Sequence, residues 1–87
     1  MAINEYKLVL SKKFDREFAK LEKDMKDRTV QKLGALAEKP RIGKPLKGKL
    51  KGLWSLRIGK YRIIYRINEA DRIVEVVTIE HREVVYE

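Results

Sequence analysis

Between Leu53 and Tyr65 the chain follows a period of two. Trp54, Leu56 and Ile58 alternate with Ser55 and Arg57, and Tyr61, Ile63 and Tyr65 alternate with Arg62, Ile64 and Arg66. This is the pattern of half-buried strands. Gly59-Lys60 between them predicts a two-residue type II′ hairpin turn, whose first position needs the positive φ that glycine accepts. The register then sets Ile58 opposite Tyr61, Leu56 opposite Ile63 and Trp54 opposite Tyr65 on one apolar face. Arg57 faces Arg62 on the other. Like charges opposed across strands destabilise by up to about 1 kcal/mol. An anion bound between them turns that repulsion into attraction.

The flanking segments carry other periods. Asn4 to Leu10 sets Tyr6, Leu8 and Leu10 against Lys7 and Val9, which predicts a first strand. Ser11 is placed to cap a helix whose apolar stripe is Phe14, Phe18, Leu21 and Met25, with Asp15 and Glu17 near its positive end. A second helix, capped by Asp24 or Asp27, carries Val30, Leu33, Leu36 and Ala37 and ends near Glu38, because Pro40 disfavours helix at Lys39. The short link between the helices predicts an antiparallel helical hairpin. Asn68 to Asp71 reads as a turn, and Arg72 to Glu80, apolar on both faces, as a central or doubly covered strand. The expected fold is α+β in two layers: N-terminal strand, α-helical hairpin, then a three-stranded antiparallel meander. Trp54, Tyr61 and Tyr65 belong to the helix-covered face, and Arg57, Arg62 and Arg66 to the other.

Residues 40–52 follow no single period. They hold both prolines, three of the five glycines, and Lys44, Lys47, Lys49 and Lys51. This is a basic loop or an irregular strand: either a solvated connector or an arm that grips phosphate with lysines and backbone amides. No G-x-x-x-x-G-K-[ST] occurs, so no nucleotide-binding P-loop is indicated.

Charge sharpens the picture. With 21 Lys and Arg against 13 Asp and Glu, the 87-residue chain carries a net charge of +8, which points to a polyanionic partner. A chain of this length supports one domain, 1–87. The absence of cysteine excludes disulfides, thiolate metal sites and thiol catalysis. No apolar run is long enough to span a membrane, and the first residues lack the character of a signal peptide, so the expected location is the cytoplasm.

Several segments taken together resemble the RelE/ParE toxin superfamily. They are Pro40-Arg41, Leu46-Lys47-Gly48, the run Leu-Arg-Ile-Gly-Lys-Tyr-Arg-Ile-Ile-Tyr from Leu56 to Tyr65, and the close Ile79-Glu80-His81-Arg82 followed by Tyr86. The closing residues fit the RelE branch. The resemblance implies the toxin of a type II toxin–antitoxin pair that enters the ribosomal A site, cuts mRNA without a metal or other cofactor, and is neutralised by a RelB-like antitoxin. A ParE-like toxin that poisons DNA gyrase, and a non-catalytic RNA-binding module, are the competing readings.

By the same resemblance Arg62, Arg82 and Tyr86 occupy the catalytic positions. Two guanidinium forks would clamp the scissile phosphate, and the phenol would stack on a base or move a proton. Arg57, Lys47, Lys49, Lys51 and Lys60 are the expected substrate-binding cations. Where better-studied relatives carry lysines before the glycine turn, this chain has Ser55 and Arg57. An arginine does not give up its proton, so the general base stays open among Lys47, Lys49, Lys51, Lys60 and Tyr86. A structural alternative for Arg62 is an ion pair with Glu75 across the sheet. His81 reads as an end-of-strand residue, since one ring cannot supply both proton transfers.

Overall fold

A computed structural model describes residues 5–83. Its regular structure consists of strands β1 (Lys7–Leu10), β2 (Lys44–Pro45), β3 (Leu53–Ile58), β4 (Tyr61–Asn68) and β5 (Ile73–His81), and helices α1 (Lys12–Ala19) and α2 (Lys23–Glu38). The sheet order is β1-β5-β4-β3-β2. The meander β3-β4-β5 is antiparallel, β1 joins β5 in parallel, and β2 adds an antiparallel edge beside β3. The basic stretch is therefore a short strand set between 3-10 turns at Pro40–Ile42 and Gly48–Leu50. Pro45 fits that outer edge, where no further strand needs its missing N–H. Among the described residues no helix is long and apolar enough to cross a membrane.

The central hairpin has the register its alternation predicts, including Arg57 opposite Arg62. Gly59 takes φ of 56°, as the first position of a type II′ turn requires. The pairing of β4 with β5 contains a bulge: Ile64 pairs with Thr78, but Tyr65 pairs with Val76. Val77 is the extra residue, and it reverses the parity of β5. Ile79 above the bulge and Val74 and Val76 below it thus all reach the same core. This explains why a period-two reading of that strand finds apolar residues on both faces. The bulge also brings Glu75 opposite Arg66, with which it forms an ion pair at 3.8 Å. The expected alternative of Arg62 with Glu75 is corrected accordingly: the cross-strand partner of Arg62 is Glu80.

Ser11 caps α1 as expected. Its hydroxyl accepts the N–H of Phe14 at 2.9 Å and donates to the carbonyl of Val77, the bulged residue, at 2.5 Å. One side chain thus ties the start of the helical layer to the bulge. The second helix begins earlier than its aspartates suggest. Glu22 is the N-cap, without a side-chain bond, and Asp24 lies in the first turn. Asp27 instead pairs with Lys23 one turn earlier, at 3.7 Å. The helix ends at Glu38 before Pro40, as expected.

The core consists of Phe14, Leu33, Leu36, Ile58, Ile63, Tyr65, Val74, Val76 and Ile79, with Trp54, Tyr61, Phe18, Leu21 and Met25 packed around it. Val30 does not join it and is 56% exposed; the buried position on that turn is Thr29. The stripe runs Met25, Thr29, Leu33, Leu36, so a polar residue occupies the step that the apolar pattern assigned to Val30. Leu10 is likewise 42% exposed, because β1 is short and lies at the sheet's edge. Each large apolar side chain fully buried contributes about 1.5–3 kcal/mol, so the covered face easily outweighs one opposed arginine pair.

Candidate functional site: an arginine cleft

The face of the sheet away from the core opens into a cleft of about 450 Å³. Ile42, Lys44 and Leu46 wall it on the arm, Ser55, Leu56 and Arg57 on β3, Arg62 on β4, and Arg82 just beyond β5. None of these lining residues is acidic. Three guanidinium groups from three segments therefore share one concave surface with a lysine.

Local structure fixes two of those arginines. The Arg82 N–H donates to the Lys60 carbonyl at 2.6 Å and its Nη1 to the Gly59 carbonyl at 3.1 Å, so the residue after β5 is held against the hairpin turn. Arg62 Nη2 in turn donates to the Arg82 carbonyl at 2.9 Å. Both guanidinium groups are thus steadied by backbone carbonyls, and guanidinium forks match the geometry of phosphate oxygens. The expected clamp of Arg62 and Arg82 is thus a connected pair.

The arm is held by Tyr65, fully buried in the core. Its hydroxyl donates to the Pro40 carbonyl at 2.6 Å and accepts the Gly43 N–H at 3.1 Å. Burial pushes the phenol pKa up, and the Gly43 bond opposes that in part. A Cβ on Gly43 would lie 2.5 Å from this hydroxyl and 2.6 Å from the Ser55 carbonyl, so only glycine lets the arm lie this close to β3. One residue further, Lys44 is the direct partner of Ser55. A second tether holds the arm's start: Arg41 pairs with Glu69, which also accepts from the Tyr6 hydroxyl. Those partners, Tyr6 first, hold the Glu69 carboxyl below its ordinary pKa.

The predicted site residues separate into groups. Arg57, Arg62 and Arg82 meet in the cleft. Lys47, Lys49 and Lys51 are exposed around the turn at Gly48–Leu50, outside the cleft lining. Lys60 belongs to a neighbouring recess of about 330 Å³ with His81, Arg82 and Glu83. There His81 packs edge-on against Tyr61 and its Nδ1 accepts the Glu83 N–H at 3.3 Å. Tyr86 lies outside the described residues. Lys44 was expected only as part of the possible phosphate-gripping arm, and Ile42 and Leu46 were not expected at the site. The signal for them is Pro45, which in a strand belongs on an edge and so marks its neighbours as flanking β3.

The family model for the ParE toxin of type II toxin–antitoxin systems matches residues 8–86. The chain belongs to the RelE/ParE toxin superfamily. It is 41% identical to Toxin RelG and 43% identical to Toxin RelE of Mycobacterium tuberculosis, in each case over 54 residues and 61% of this chain. Those segments cover 62% and 56% of the two relatives, less than two thirds of either. A chain of the crystallised toxin–antitoxin complex RelBE2 from the same organism superimposes with a TM-score of 0.83 at 32% identity, covering 90% of this chain and 99% of that one. The isolated E. coli RelE toxin shares the fold at a TM-score of 0.78 and 24% identity, covering 92% and 87%.

Proposed function

We propose that this toxin is a ribosome-dependent, metal-independent endoribonuclease that cuts mRNA in the A site and so arrests translation. The observation that carries the reading is the joining of Arg57, Arg62 and Arg82 in one cleft whose described lining residues include no carboxylate. Such a surface suits a dianionic, trigonal-bipyramidal phosphorus more than a ground-state phosphodiester, because it adds cation where charge accumulates. In the reaction the 2′-oxygen attacks phosphorus, the bond to the 5′-oxygen breaks, and the products are a 2′,3′-cyclic phosphate and a 5′-hydroxyl. A base removes the 2′-hydroxyl proton and the departing oxygen takes one up. Arg62 and Arg82, already linked by a hydrogen bond, clamp the phosphate, and Arg57 adds charge from the facing strand; the role the family resemblance assigns to Tyr86 is stacking or proton transfer.

The partner proposed with this activity is a RelB-like antitoxin. Relatives with the same fold were crystallised as RelBE2 and as an archaeal RelE–RelB complex. The test is primer extension on mRNA in a reconstituted translation system. Cuts confined to ribosome-engaged message support the reading; intact message overturns it. A second reading, inhibition of DNA gyrase, is favoured by the family model's ParE description. Gyrase–DNA complexes trapped by the toxin beside intact mRNA would select it.

A further inference from the structure

The cleft supplies cation in abundance but must also take a proton. A guanidinium is not a proton acceptor, so Arg57, Arg62 and Arg82 cannot do so. The remaining described lining residues are Ile42, Leu46, Leu56, Ser55 and Lys44. A serine hydroxyl is no base without a partner to activate it. His81 faces the adjoining recess, with Nδ1 occupied by the Glu83 N–H. Lys60 shares that recess, and Lys47, Lys49 and Lys51 lie outside the lining. Among the described residues of the cleft, Lys44 alone bears a nitrogen that can exchange its proton and act as an amine.

Its placement is built in from the backbone. Lys44 is the register partner of Ser55, so both side chains project to the same side, with Cβ atoms about 5 Å apart by ordinary sheet geometry. The residue before it, Gly43, touches the Ser55 carbonyl region too closely to accept a Cβ and is bonded to the buried Tyr65 hydroxyl. Two residues after it, the Leu46 N–H donates to the Leu53 carbonyl at 2.8 Å. Lys44 is therefore pinned on both sides although it belongs to a two-residue edge strand. The charged groups facing it across the cleft are Arg57 from β3, Arg62 from β4 and Arg82 beyond β5.

We propose that Lys44 is the residue that accepts the 2′-hydroxyl proton, a role that rests on the nuclease reading above. In the step, the lone pair of the Lys44 amine takes the proton as the 2′-oxygen bonds to phosphorus. The P–O5′ bond breaks, and the released oxygen is protonated by solvent. The lysine then returns its proton to water.

The test is single-turnover cleavage of mRNA on programmed ribosomes by the intact toxin, comparing wild type with Lys44→Arg and Lys44→Ala. Arginine keeps the charge and cannot act as base. Lys44→Arg is expected to bind the ribosome as tightly as wild type while cutting about 10²- to 10⁴-fold more slowly. Lys44→Ala should regain rate in proportion to added methylamine. If wild type cuts and Lys44→Arg cuts within threefold of it, or if methylamine fails to restore Lys44→Ala, Lys44 is not the base. If wild type leaves engaged message intact, the nuclease reading and the role of Lys44 fall together.

Discussion

The two faces of the sheet are built from the same alternation and put to opposite uses. On one, Ile58, Ile63, Tyr65, Val74, Val76 and Ile79 are removed from water beneath the helices. On the other, Arg57 and Arg62 are held directly opposite one another, with Arg66 two pleat repeats further along β4. Burying one apolar side chain contributes about 1.5–3 kcal/mol, whereas the opposed arginines cost up to about 1 kcal/mol. The fold can therefore keep an unfavourable arrangement on its open face because the covered face is so much stronger. Stability and function should accordingly separate by face.

The largest effect on stability is expected from the covered face. Ile63 is fully buried, and Ile63→Ala should lower the unfolding free energy by about 2–5 kcal/mol in denaturant titration. The fraction that remains folded should cut mRNA at the wild-type rate. A fall in that specific activity would show that core and cleft are not independent.

On the open face the pattern inverts. Arg62→Ala and Arg82→Ala should each reduce cleavage by about 10²- to 10³-fold and relieve growth arrest. Arg62→Ala loses the exposed bond to the Arg82 carbonyl and Arg82→Ala the exposed bond to the Gly59 carbonyl, so the change in stability should be about 1 kcal/mol, with antitoxin binding in a pull-down retained.

Tyr65 is the residue that joins the two faces, and its variant sharpens the comparison. Tyr65→Phe keeps the ring in the core but leaves the Pro40 carbonyl and Gly43 N–H without their partner, at a cost of about 1–3 kcal/mol. It should also slow cleavage by loosening the arm that carries Lys44. Burial raises the phenol pKa, so above about pH 10 the unfolded chain releases this proton while the folded chain still holds it. The stability contribution is thus intact below pH 10 and lost as pH rises through the raised folded value. Wild type minus Tyr65→Phe in alkaline unfolding curves isolates that decline.

The smallest effect should be a gain. Arg57→Thr removes the opposed charge and should stabilise the chain by up to about 1 kcal/mol in thermal melts. Its binding to single-stranded RNA should weaken and lose about 0.7 from the slope of log K against log salt.

How much of this was legible in the sequence depended on whether local chemistry or tertiary pairing decided the outcome. The hairpin was readable to the residue, because Gly59 and a strict period of two leave one register. Ser11 and Pro40 marked helix ends for equally local reasons. The β5 bulge was not readable: an extra residue at Val77 is decided by what packs above and below it, and a run of Val and Ile is apolar in either parity. The buried Thr29 and exposed Val30 reversed the apolar rule because the helix's inward line passes through the threonine. The three arginines that line the cleft could be singled out from sequence, whereas Lys44 was legible only as one lysine of the basic arm and not as their neighbour. Its position depends on a short edge strand anchored by the Tyr65 hydroxyl, a contact that spans the chain from Pro40 to Tyr65.

The most direct measurement of the central claim is primer extension across a defined mRNA in a reconstituted translation system, run with wild type and with Arg82→Ala. The arginine cleft predicts cuts at the A-site codon of engaged message with wild type, none on free message, and cuts reduced by about 10²-fold or more with the variant. Equal cutting by the two proteins, or no cutting by wild type, would contradict it.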